Sequence, residues 1–328
     1  MVTSRSKNVK KVDKHRHMCY NEKTKGGMRV QYLRSFTFPT ESDELDYLMK
    51  YPYQQEMGCY SHTNVYPFKL LPQMGLRKLT FEPLTILCGS NGSGKSTVLN
   101  LIAEKLHLDR AAPFNNTPYF VDYLKRCRYE LTPGHRHLPQ ESAILTSDGV
   151  FDFLLDLRAI NEGVDRRREE LFREYEATRN VYGTSDGFQM RSLDDYDELK
   201  RRNEIRHSTK SAYVSRRLPQ ETNGRSNGES AFVYFTQKIR ENALYLLDEP
   251  ENSLSAGLQR ELAQFLTDSV RFYGCQFIIS THSPFLLSMR DALIYDLDSH
   301  PVRERLWTEL PHVLAYYELF REHQRDFE

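Results

Sequence analysis

No charge of one sign dominates this chain: Lys and Arg together number 45, and so do Asp and Glu. A global field that would draw nucleic acid or an anionic membrane is thereby excluded, and any such affinity must come from a local patch. The five cysteines, Cys19, Cys59, Cys88, Cys127 and Cys275, are scattered, with no Cys-x-x-Cys pair. That spacing argues against a disulfide scaffold or a zinc knuckle and favours a reducing cytoplasm. No apolar run approaches the length of a membrane span, and the polar, basic N-terminus lacks the apolar core of a secretory signal. No internal repeat or long low-complexity tract interrupts the chain. The expectation is a soluble cytoplasmic protein whose 328 residues can bury a substantial core in one large domain or two small ones.

What is present is organised around Gly89-Ser90-Asn91-Gly92-Ser93-Gly94-Lys95-Ser96-Thr97. The apolar run Leu84 to Cys88 precedes it, and Val98, Leu101, Ile102 and Leu106 follow at helical spacing. Strand, glycine-rich turn and helix form the setting that a phosphate-binding loop requires. The glycines let successive backbone N–H groups turn inward around phosphate oxygens, and the helix opening at Gly94 adds its positive end. In such a loop Lys95 reaches the β- and γ-phosphates as a point charge, and the Ser96 hydroxyl ligates Mg²⁺.

Residues 1–28 carry Arg5, Lys7, Lys10, Lys11, Lys14, Arg16, Lys23 and Lys25 against only Asp13 and Glu22. They read as a solvated, flexible tail or as an arm for phosphate backbones or a partner's acidic face. His15, His17 and Cys19 alternate there, without the second ligand cluster that a metal site needs. Residues 29–150 read as the first part of an α/β domain. Arg29 to Phe38 alternates like a strand and stops at Pro39. Residues 40–66 read as a surface connection, and Leu79 to Phe81 and Leu84 to Cys88 as the next strands. Pro113, Pro118, Pro133, Gly134 and Pro139 then break the chain into loops around short strands or turns. From Val150, residues Phe151, Leu154, Leu155, Leu157, Ile160, Val164, Leu171, Phe172 and Tyr175 follow one helical face. After Gly183 to Gly187 a more polar helical stretch runs from Leu193 to Arg206. Residues 151–212 thus read as an inserted helical hairpin, either a solvated lid or a surface for a partner or nucleic acid.

Residues 213–328 hold the second part. Ala243 to Leu247 is a buried-strand run ending in Asp248-Glu249-Pro250, where an aspartate ordering Mg²⁺ belongs at a strand's carboxyl end. Glu249 beside it can orient or deprotonate an attacking water. Leu258, Leu262, Phe265 and Leu266 then form a helical stripe, and Cys275 to Ile279 a further strand that leads to His282. That histidine lies one strand–helix–strand step beyond the acidic pair, the place of a γ-phosphate sensor. Ser226-Asn227-Gly228-Glu229 reads as a serine N-cap and glycine turn opening an amphipathic helix.

In this order the motifs resemble those of the ATP-binding-cassette (ABC) ATPases. Gly89 to Ser96 matches Walker A, Ser226 to Glu229 looks like the signature motif, Leu244 to Asp248 is similar to Walker B, and Glu249 to the catalytic glutamate. Asn252-Ser-Leu-Ser255 is similar to the D-loop and His282 to the switch histidine. Tyr66-Pro-Phe68, Asn91 to Thr97 and Ser280-Thr-His-Ser-Pro284 resemble the soluble branch, which holds RecF-like and chromosome-maintenance ATPases and small stand-alone bacterial ones. The resemblance implies an α/β P-loop NTPase of ABC type with a helical-hairpin insertion, using ATP and Mg²⁺. It also implies a homodimer with ATP at the interface, one copy supplying Lys95, Ser96, Asp248, Glu249 and His282, the other Ser226 and Gly228, with Glu229 of the same motif among the nucleotide-binding residues. Relatives serve DNA repair and phage defence, so a separate effector such as a nuclease, or nucleic acid, is the expected partner.

The departures from the family are specific. The signature lacks the Leu-Ser-Gly-Gly-Gln form usual in transporters, and Gln140 and Asp148 are both candidates for the Q-loop position. The hairpin is too short for a long coiled-coil arm, and from the short stretch that follows His282 no attached nuclease domain is expected. Two other readings remain open: the nucleotide-binding subunit of a transporter, and a nucleic-acid-binding module that uses ATP as a clamp ligand.

Overall fold

Runs that are apolar at every position cannot lie on a half-wet sheet; they need helices on both faces. Leu84–Cys88 and Gln276–Ser280 are buried throughout, and Leu244–Asp248 is buried up to its last residue. The computed structural model describes residues 30–50, 65–114, 116–181 and 226–328. In chain order the strands are β1 (Leu33–Thr37), β2 (Lys78–Thr80), β3 (Leu84–Cys88), β4 (Asp109–Arg110), β5 (Arg128–Leu131), β6 (Ala143–Thr146), β7 (Leu244–Asp248), β8 (Gln276–Ser280), β9 (Leu293–Asp296) and β10 (Arg303–Glu304). The helices are α1 (Glu41–Lys50), α2 (Lys95–Leu106), α3 (Phe120–Arg126), α4 (Ser147–Val181), α5 (Asn227–Lys238), α6 (Ala256–Phe272), α7 (Pro284–Leu287) and α8 (Pro311–Glu322).

Seven strands form one sheet in the order β10-β9-β3-β8-β7-β6-β4, parallel except for β10. A second sheet, β2-β1-β5, is antiparallel. Side chains of the large sheet alternate between two cores, as strand periodicity demands. Leu87, Leu244, Leu246 and Ile278 face α2 and the small sheet, packing with Val98, Ile102, Phe36 and Leu79. Ile86, Tyr245, Leu247, Phe277 and Ile279 face the opposite way, into Ala231, Phe235, Leu262 and Leu286. Strands β3, β4 and β6 precede α4 in the chain and β7 to β10 follow it, so both flanks of α4 build the same sheet.

The registers fix where the chemistry falls. Leu87 pairs with Ser280, Asp248 with Ser280, and Thr146 with Asp248. The carboxyl ends of β3, β8, β7 and β6 therefore finish level along one edge. Because β8 lies between β3 and β7, the loop after it stands between the glycine loop and the acidic pair. Open α/β sheets bind their ligands at such an edge.

Three expectations change. Residues 40–66 are not simply a connection, because Glu41–Lys50 is helical. Thr40 and Asp43 cap it reciprocally: the Thr40 N–H donates to Asp43 Oδ2 at 3.0 Å, and the Asp43 N–H to Thr40 Oγ1 at 3.3 Å. The first strand covers only Leu33–Thr37. The helix expected from Val150 begins at Ser147, and although Leu154, Leu171 and Tyr175 are buried, Phe151 and Leu155 are exposed. The basic tail 1–28 with its His15, His17 and Cys19, and the second helical stretch 193–206, lie outside the described residues. Among those described, no helix is long and apolar enough to cross a membrane.

Candidate functional site

The loop after β3 turns where only glycine is comfortable. A Cβ on Gly89 would meet Ser93 Oγ at 2.5 Å, and Gly94, the N-cap of α2, sits at φ +85°. The first side chain of α2, Lys95, is only 4% exposed. Its ammonium donates to the carbonyls of Gly89 (2.9 Å) and Ser90 (3.1 Å) and to His282 Nε2 at 2.8 Å. An ammonium has no lone pair, so Nε2 of His282 is the acceptor in that contact.

The acidic pair at the end of β7 closes on the same point. Glu249 Oε1 lies 3.7 Å from Lys95 Nζ and 3.4 Å from His282 Nε2. Its other oxygen accepts from Asn252 Nδ2 at 3.1 Å. The backbone of Glu249 is left-handed, φ 48°, and its N–H is shared between the carbonyl and the hydroxyl of Ser280, at 3.0 and 3.1 Å. A glutamate in that conformation is strained and is held by its surroundings. Asp248 Oδ1 accepts from Ser96 Oγ at 3.1 Å and from Ser280 Oγ. Burial, reinforced by the Glu249 charge, holds the Asp248 carboxyl above the usual aspartate range, while the Ser280 and Ser96 hydrogen bonds and the Lys95 charge pull against it.

Asp248 and Ser96 present hard oxygens to one point, the donor type Mg²⁺ takes when waters and phosphates complete its shell. Among the described residues no group of three His, Cys, Asp or Glu is placed to hold a metal by itself. That suits Mg²⁺, which is held by one or two protein ligands, and does not suit a structural zinc. At the end of β3, burial pushes the Cys88 thiol up to about 12, away from the thiolate form that reacts.

The rest of the glycine loop is braced from outside. Ser90 donates its N–H (2.9 and 2.8 Å) and its hydroxyl (2.7 Å) to the Asp298 carboxylate. Thr97 Oγ1 accepts from Tyr66 OH at 3.1 Å. Ser93 Oγ is buried without a hydrogen-bond partner, and Asn91 and Gly92 are exposed. Ser226, Gly228 and Glu229 lie at the N-terminus of α5, not in the Lys95 cluster. Ser226 and Glu229 form a capping box there: the Ser226 N–H donates to Glu229 Oε2 at 2.8 Å and the Glu229 N–H to Ser226 Oγ at 3.3 Å. A Cβ on Gly228 would come within 3.1 Å of both Ser253 O and Leu258 Cδ1, so the helix end leans on the turn after β7.

Of the two Q-loop candidates, Asp148 lies in the first turn of α4, two residues past Thr146, which ends β6 and pairs with Asp248. Gln140 precedes β6 and lines a cavity of about 650 Å³ at the opposite edge of the sheet. Sequence reasoning misses Glu251, which holds the His282 loop, and Asp298, which holds Ser90. Glu251 has a signal, its position two residues past Glu249; Asp298 has none.

A family model described as "AAA domain, putative AbiEii toxin, Type IV TA system" matches residues 104–288. The chain belongs to this family. It is an ABC-type ATPase domain with an α/β P-loop NTPase fold. The matched span begins within α2 and takes in α4, the Ser226 turn, the acidic pair and His282. No curated protein matches the chain. Solved structures similar to it include the SMC head domain from Thermotoga maritima, at 15% identity over 82% of this chain and 94% of that one, TM-score 0.35. The ATP-binding cassette MJ0796, as a dimer in a post-hydrolysis state bound to ADP and Pi, is 16% identical over 70% of this chain and 88% of its own, TM-score 0.34. An Smc head with an extended coiled coil, bound to the C-terminal domain of ScpA derived from Pyrococcus furiosus, is 16% identical over 74% and 95%, TM-score 0.34.

Proposed function

We propose that this member of the AAA-domain family hydrolyses ATP with Mg²⁺, and that two copies close on the nucleotide to control a separate effector or a nucleic acid. One observation carries the reading: Lys95, Glu249 and His282 meet within 3.7 Å of one another, with Ser96 and Asp248 joined at 3.1 Å. Lys95 binds the β- and γ-phosphates, and the backbone N–H groups from Gly92 to Thr97 surround them. Mg²⁺, when bound by Ser96 and Asp248, neutralises charge on the phosphate oxygens. Glu249 orients the water and takes its proton as the water oxygen bonds to the γ-phosphorus. The bond from that phosphorus to the bridging oxygen breaks, giving ADP and phosphate. His282, already in contact with Lys95 and Glu249, holds the γ-phosphate side of the site.

Ser226 and Gly228 of a second copy complete the enclosure in this reading, since the capped N-terminus of α5 presents its positive end at the surface. The family's description, which refers to a toxin–antitoxin system, favours a role in defence over one in DNA repair. The decisive experiment is phosphate release by the purified chain. Release that requires Mg²⁺, stops with EDTA and is lost with ATP binding in Lys95→Ala is the expected result. A chain that binds ATP and releases no phosphate at any Mg²⁺ concentration removes the hydrolase reading.

A further inference from the structure

We propose that Glu251 is a positioning residue for His282, tying the histidine's loop to the turn that follows the acidic pair. The inference rests on the ATPase reading above and adds a residue that none of the motifs contains. One carboxylate oxygen of Glu251 accepts three hydrogen bonds from consecutive residues: Thr281 Oγ1 at 2.6 Å, the His282 N–H at 2.6 Å and the Ser283 N–H at 3.2 Å. Its second oxygen is buried with no hydrogen-bond partner.

A buried carboxylate oxygen left unpaired is costly, and the cost is tolerated only where the other oxygen is strongly engaged. Glutamate meets that need because it is an acceptor alone, and the two peptide N–H groups and the hydroxyl are all donors. The loop is tied a second time, by Ser283 Oγ to Gln259 Oε1 at 2.7 Å, and Gln259 Nε2 in turn donates to Leu254 O at 3.0 Å. The segment 251–259 and the loop 281–283 are therefore one hydrogen-bonded unit. The same segment touches Gly228 through Ser253 O and Glu249 through Asn252. A shift of the Ser253 turn, on which the start of α5 leans, is thus passed to the His282 backbone, and with it the placement of the ring, through Glu251.

The test is a double-mutant cycle on ATP turnover together with hydrogen exchange in the full chain. Glu251→Ala lowers kcat by about 10- to 100-fold, the scale of losing hydrogen bonds to a charged group, with ATP affinity unchanged. In a His282→Ala background the same change has no further effect, because the histidine it positions is gone. Glu251→Gln, whose amide oxygen can accept the same three bonds, keeps most of the activity. Exchange of the His282 and Ser283 amides, the two that Glu251 accepts, quickens in Glu251→Ala, while that of the Gly89–Thr97 loop does not. A full, additive loss in the His282→Ala background, or unchanged exchange at His282 and Ser283, overturns the inference. If exchange quickens but the wild-type chain hydrolyses no ATP, the hydrolase reading fails and the tie between the two loops stands.

Discussion

Glu249→Gln slows ATP turnover by about 100- to 10,000-fold, the range for removing a general base, and leaves ATP binding intact. Glutamine has the same shape and keeps an oxygen for Asn252 Nδ2, but it cannot take a proton from water. The substitution also removes the negative charge beside Asp248, one of the causes that hold that carboxyl above its usual range. Asp248 is then ionised more readily, the form in which a carboxylate ligates Mg²⁺. With hydrolysis blocked, the nucleotide-bound form accumulates, and size-exclusion chromatography with ATP and Mg²⁺ should show a dimer. Turnover at the wild-type rate would remove Glu249 as the base. A variant that binds ATP and stays monomeric would instead remove the two-copy enclosure while leaving the single-copy site.

The largest expected effect on stability falls at a residue far from the nucleotide. Gln276 is 0% exposed and fills all four of its hydrogen-bonding places. Its oxygen accepts from the N–H groups of Tyr32 and Leu33, both at 2.8 Å, and its amide donates to Leu33 O at 2.9 Å and Glu82 O at 3.2 Å. The start of β8 in the parallel sheet is thereby fastened to the start of β1 in the antiparallel one. Gln276→Leu keeps the volume and removes every partner, and the expected loss is about 3–5 kcal/mol in urea-induced unfolding. Gln276→Glu should be no better, because it sets a carboxylate oxygen against two carbonyls. A loss below about 1 kcal/mol for both would mean that the sheets are joined by apolar packing alone.

Much of the site is legible because its signals are local. A strand, a glycine turn and a helix follow one another within the stretch from Leu84 to Leu106, and each is specified by its own neighbours. The acidic pair after β7 and the histidine after β8 carry the same kind of signal at a strand's carboxyl end. Helix α1 was within reach of the same reasoning, since Thr40 and Asp43 have cap spacing, but the acidic, Tyr- and Gly-rich run around it masks the signal. The exposure of Phe151 and Leu155 was not legible, because helical period says which residues share a face and not how much of that face is covered.

The sequence by itself determined the local chemistry: which loop can turn around phosphate, which strand ends in carboxylates, and which helix begins with a serine cap. Only the tertiary structure decided that β8 lies between β3 and β7, and so that Lys95, Glu249 and His282 share one point. It alone set Asp298 on Ser90 across 208 residues, Gln276 on Tyr32 across 244, and Glu251 under His282. The physical reason is that a hydrogen bond between distant segments leaves no periodicity in either one. Its partners are chosen by the order and register of strands, and these emerge only when both faces of the sheet are buried together.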